Sequence, residues 1–128
     1  MTDFDSYAQT AGIDVYYASI PLTRAMAVPG AVCLDYSLLP CDSARSALLA
    51  HELGHVETGA LYVRDASPLD RRRAEVRAER WAIRRMISRD ELLAALRSGF
   101  TTVFDLSEKL GLPEDVIRKA LSLYLPCR

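Results

Sequence analysis

The chain has 128 residues, half of them apolar and 26% charged, with 16 basic against 17 acidic side chains. This is the make-up of one globular domain with its own core, with room for a small appended helical piece. A net charge of −1 excludes a bulk electrostatic coat for nucleic acid or a membrane surface, and nothing approaches about 18 uninterrupted apolar residues, which excludes a spanning helix.

Residues 2–11 read as a short helix capped near Thr2 or Asp3 and closed by Gly12. Asp14 to Ile20 is rich in β-branched and aromatic residues and stops at Pro21, which predicts a strand. Two more strands, Arg24 to Val28 and Ala31 to Tyr36, flank the turn signal Pro29-Gly30. Pro40-Cys41-Asp42-Ser43 supplies an N-cap for a helix running to about Thr58, with Gly59 as its stop. Ser67-Pro68-Leu69-Asp70 offers a cap serine, a first-turn proline and an acid three residues after the cap. It opens a helix without a breaker until about Ser88. Ser88-Arg89-Asp90-Glu91 repeats the capping box for a helix ending at Gly99, and helices near 102–110 and 113–124 follow, separated by Gly111. The predicted fold class is α+β. A small three-stranded, antiparallel sheet packs on a mostly helical body, with a core over 1–88 and a C-terminal helical subdomain over 89–128.

No N-terminal stretch has a basic start and an apolar core, so a cytoplasmic protein is expected. Cys33, Cys41 and Cys127 are an odd set without metal-type spacing, and a reducing compartment leaves them as thiols. Cys41, just before the motif helix, can in principle reach a metal; its plainer reading is a small, partly buried side chain. Between Arg64 and Arg89 nine arginines stand against four acids, which reads as a solvated helix face rather than a binding patch.

Both histidines lie four residues apart in Leu48-Leu49-Ala50-His51-Glu52-Leu53-Gly54-His55. With about 100° of turn per residue, His51, Glu52 and His55 share a narrow arc of one helix. Two imidazoles one turn apart can grip a divalent cation, with the glutamate between them leaning toward the remaining coordination space. Gly54 inside the motif costs a helix about 1 kcal/mol relative to alanine, so a close neighbour or the ion requires its missing side chain. A catalytic zinc takes three protein ligands and a water. No third histidine exists, so the third ligand is a carboxylate or a thiolate. Glu75 and Glu79, one turn apart on the following helix, are the candidates. Glutamate-type zinc peptidases carry a ligand carboxylate and, four residues on, an acid that buttresses a ligand histidine; Glu75-Val76-Arg77-Ala78-Glu79 matches. The plainer alternative is surface pairing of these acids with arginines such as Arg71 and Arg72.

His51-Glu52-Leu53-Gly54-His55, followed by Glu75-Val76-Arg77-Ala78-Glu79-Arg80-Trp81-Ala82, resembles the ImmA/IrrE family of zinc metallopeptidases, in particular its short phage-type members. The resemblance implies His51, His55 and Glu75 as zinc ligands and Glu52 as catalytic base, with Glu79 in the supporting position where many members carry Asn or Asp. It also implies a specific protein substrate, a repressor-like regulator of a mobile element. Tyr36, Tyr62 and Arg64 are candidates for the oxyanion donor, without a spacing argument. The strand at 31–36 leads into the motif helix and is expected to be a sheet edge that accepts an extended peptide.

Leu106-Ser107-Glu108-Lys109-Leu110-Gly111-Leu112, with Ile117 and Ala120, fits a helix-turn-helix pattern. The second helix would start on Pro113-Glu114-Asp115, two negative charges where a DNA reader meets phosphates, so direct nucleic-acid binding is not expected. The competing readings are a non-hydrolytic zinc-stabilised binding module and a DNA-binding regulator acting through these helices. Intact Glu52 favours the enzyme, because a purely structural site has no use for a base.

Overall fold

The computed structural model describes residues 3–20, 25–35, 41–61 and 65–126. Its elements are α1 (Phe4–Ala11), β1 (Asp14–Tyr17), β2 (Ala25–Val28), β3 (Ala31–Leu34), α2 (Asp42–Thr58), α3 (Pro68–Met86), α4 (Arg89–Arg97), α5 (Val103–Leu110) and α6 (Glu114–Tyr124). The fold is α+β, as the sequence predicts.

The helix boundaries follow local chemistry. Asp3 caps α1 by accepting from the N–H groups of Asp5 and Ser6, Ser67 caps α3 ahead of Pro68, and Ser88 with Glu91 closes a full capping box on α4. At Gly59 the chain leaves α2 with φ 66°, a left-handed turn that side chains resist.

The sheet corrects two expectations. Its order is β1-β3-β2; β2 and β3 form an antiparallel hairpin across Pro29-Gly30, but β1 runs parallel to β3. The strand expected at the edge is therefore the centre. Burial explains it: Val32 and Leu34 of β3 are fully enclosed, whereas Tyr16 and Tyr17 of β1 and Met26 and Val28 of β2 stay exposed. The strand whose alternate side chains are fully enclosed takes the position with two neighbours, and the strands that leave alternate or more side chains exposed take the edges. The strands are also shorter than predicted. The ladder ends with Leu34, and beyond it the buried Asp35 carboxylate accepts the Ile20 N–H at 3.1 Å. That side-chain bond takes over from the ladder. Arg24 and Tyr36, predicted at strand ends, lie outside the described residues.

Helix α2 lies on this sheet through Leu49, Ala50 and Leu53, and its other flank meets α3. Helix α3 presents a stripe of Ala74, Ala78 and Ala82, which lets the two backbones approach closely. A Cβ placed on Gly54 would run first into the Ala78 carbonyl oxygen and fall 3.0 Å from Ala78 Cα and carbonyl carbon, so the glycine in the motif is a packing requirement of the α2–α3 crossing. On the outer side Tyr7 of α1 donates to Glu57 and meets Trp81 edge-on with ring centroids 5.4 Å apart.

One apolar cluster runs through the molecule. It joins Phe4, Leu34 and Leu49 to Leu92, Leu106, Ile117 and Ala120, so the helices after residue 88 share a core with the segment before it. The Tyr124 hydroxyl donates to the Ile87 carbonyl at 2.7 Å and fastens the end of α6 to the end of α3. Among the described residues no helix is long and apolar enough to cross a membrane.

Candidate metal centre

The i, i+4 spacing on α2 sets the two imidazoles side by side, with centroids 4.9 Å apart and planes at 76°. Helix α3 brings Glu75 across to both. Its Oε2 lies 2.7 Å from His51 Nε2, and its Oε1 lies 3.2 Å from His55 Nε2. The three residues form a cluster whose donor atoms all lie within 4.8 Å of one another. Metal–ligand bonds of about 2.0–2.1 Å in tetrahedral array place ligand atoms about 3.3 Å apart. The Glu75 separations of 2.7 and 3.2 Å lie within about 0.6 Å of that value, so the donor set fits a divalent ion of this kind after small side-chain adjustments. Two imidazoles and one carboxylate also match the three-ligand composition that leaves a fourth position for solvent.

His55 is held from behind by the main chain. Gly59 reverses the chain at the end of α2, and the Ala60 carbonyl returns to within 2.7 Å of His55 Nδ1. A carbonyl only accepts, so Nδ1 carries the hydrogen and Nε2 turns its lone pair toward Glu75 and the cluster. The turn is itself secured. Thr58 Oγ1 donates to the Gly54 carbonyl at 2.7 Å and accepts from Ala60 N–H at 3.3 Å, while Arg77 of α3 donates to the Thr58 carbonyl at 3.2 Å. An arginine there also complements the negative end of α2.

Burial sets the protonation of the other two groups. It pushes the His51 imidazole below its ordinary pKa, against the opposing pull of Glu75, and so favours the neutral ring a metal ligand needs. Glu52 is nearly enclosed, and burial pushes its carboxyl up to about 7; Glu75 adds to the shift and His55 works against it. A carboxylate that holds and releases a proton near neutrality suits general-base work.

Glu79 is brought to the same side of α3, but its carboxylate meets Lys119 of α6 at 2.8 Å. On His55 the Nδ1 side is held by the Ala60 carbonyl. Cys41 occupies the N-cap of α2 and is exposed, not partly buried. It precedes His51 by ten residues, about 15 Å along the helix, and is outside the cluster. Tyr36, Tyr62 and Arg64 lie outside the described residues.

A cleft of about 550 Å³ opens beside the cluster. His51, Glu52, Glu79 and Lys119 line it together with apolar side chains of α2 and α3, Ala25 of β2, and Val116 of α6. Sequence reasoning missed Ala60 and Lys119. A main-chain carbonyl leaves no residue-type signal, and a lysine 64 positions after His55 has no spacing to announce it.

Comparison with curated proteins and with solved structures gives no match. A protein-family model does match: peptidase M78, described as the IrrE N-terminal-like domain, aligns with residues 42–122. That span covers more than half of the chain and includes both histidines, Glu52 and Glu75. On this match, and with the donor cluster in place, the chain belongs to the peptidase M78 family of metallopeptidases.

Proposed function

We propose that the protein is a zinc-dependent endopeptidase that cuts a peptide bond in a specific protein. The observation that carries this is the meeting of His51, His55 and Glu75 from two helices with the buried Glu52 beside them. His51 Nε2, His55 Nε2 and the Glu75 carboxylate would hold the ion, and the two-nitrogen, one-carboxylate set suits zinc. When bound, zinc supplies a positive charge that polarises the substrate carbonyl and brings the pKa of water to about 7. Glu52 takes the proton from the attacking water and passes it to the leaving amine nitrogen, and its near-neutral pKa serves both transfers. Ala60 keeps His55 in the tautomer that presents Nε2 throughout.

The edge strand next to the cleft is β2, whose Ala25 lines it, and an extended substrate segment would add there rather than at the central β3. The family resemblance supports a repressor-like regulator as the substrate. The zinc-stabilised binding module is separated from the enzyme by Glu52→Gln. The variant should keep one equivalent of zinc and its fold, yet lose cleavage of the co-expressed regulator by 10²-fold or more, followed by mass spectrometry. Undiminished turnover would remove Glu52 from the mechanism.

A further inference from the structure

We infer that the apolar half of the cleft is a selectivity pocket for one large aliphatic or aromatic side chain on the substrate residue next to the bond cut, its depth set by Ala47 and Ala82. The inference rests on the peptidase reading for the word substrate, and on the structure for the pocket.

Helical geometry places this pocket relative to the donors. Ala47 precedes His51 by one turn on α2, about 6 Å along the axis, and Ala82 follows Glu75 by seven residues on α3, about 10 Å. Both share a helix face with the ligand they accompany. A side chain attached within one residue of a carbonyl at the metal would reach this depth.

Residue size does the rest. Ala47 leaves room where a leucine would fill it, and Ala82, Ile83 and Met86 form a buried floor. Val116 of α6 adds a further wall. Asp115 and Lys119 around the same cleft are solvent-exposed and stand at its rim, and the half-buried Glu79 turns its carboxylate to Lys119 at 2.8 Å. Packed protein interiors leave few voids larger than a water molecule. A cleft of about 550 Å³ with an apolar floor, open onto Glu52, is of the size ligand sites have and not a packing fault. Each methylene accommodated in such a pocket changes selection by about tenfold or more.

Two measurements on the full chain test this. The first uses zinc-loaded Glu52→Gln protein with labelled Ile, Met and Val methyl groups. Millimolar N-acetyl-leucinamide should shift the Ile83, Met86 and Val116 signals, and N-acetyl-glycinamide should not. Ala47→Leu should abolish the shifts, and Ala44→Leu, one turn further along, serves if that variant does not fold. The second uses the unaltered enzyme on a mixture of peptides randomised around each bond, read by mass spectrometry. Leu, Met or Phe should exceed Ala at least tenfold at one position flanking the cut, and Ala47→Leu should reverse that order. Silent methyl signals with the leucine probe, or cleavage indifferent to side-chain size, overturns the pocket. Methyl shifts with no peptide cut at all would uphold the pocket and count against the peptidase reading instead.

Discussion

Gly54→Ala isolates the contact on which the metal cluster depends. In an exposed helix interior the substitution would stabilise the chain by about 1 kcal/mol, since alanine is the better helix former. Here the added methyl would sit 3.0 Å from Ala78 Cα and carbonyl carbon, whereas carbon atoms rest at about 3.5–4.0 Å. Helix α3 must therefore retreat by about 0.5–1 Å at Ala78, which is three residues from Glu75. Overpacking of this kind costs about 1–3 kcal/mol; set against the propensity gain it leaves a net loss of up to about 2 kcal/mol. The displacement also carries Glu75 away from His51 and His55, so zinc affinity should fall by tenfold or more. Urea unfolding of metal-free protein reads the first effect and chelator competition reads the second. The zinc-induced rise in stability should shrink by about 1.4 kcal/mol for each tenfold loss at fixed free zinc. A variant as stable as the parent, with unchanged zinc affinity, would refute the argument that Gly54 sets the helix spacing.

Glu75→Ala removes the proposed carboxylate ligand and leaves the sequence of α2 unaltered, and metal analysis of purified protein should find zinc well below one equivalent; full occupancy would place the third ligand elsewhere. Tyr124→Phe strips the donor from the Ile87 carbonyl and should lower unfolding stability by about 1–3 kcal/mol, with zinc content unchanged. Duplex DNA at low salt should not bind, because α6 opens with Glu114 and Asp115; tight, salt-sensitive binding would restore a nucleic-acid role to the C-terminal helices.

What was readable in the sequence is what local chemistry decides. Ser67-Pro68 and Ser88 through Glu91 announce helix starts because a cap satisfies N–H groups within three residues of itself. The histidine pair is readable for the same reason, since one helical turn fixes its geometry. Glu75 was reachable through a pattern, although the distance it spans is tertiary. The sheet order was not readable. Placing β3 between β1 and β2 depends on which strand's side chains are buried most completely, here Val32 and Leu34 of β3, a comparison made across the whole core. Glu79 shows the same limit. Its place one turn after Glu75 was legible, whereas the Lys119 ammonium that meets it at 2.8 Å arrives from α6. A spacing rule on one helix cannot anticipate a partner from another.

The shared core has a consequence for how such a protein can change. Val116 and Lys119 border the cleft, while Ile117 and Ala120, their neighbours on α6, are wedged among residues of the other helices. Among the described residues the core offers no seam along which the C-terminal helices could be exchanged while the rest is kept whole. Retargeting would have to proceed by single substitutions around the cleft, on α2, α3 or α6, each screened first for whether the molecule still folds.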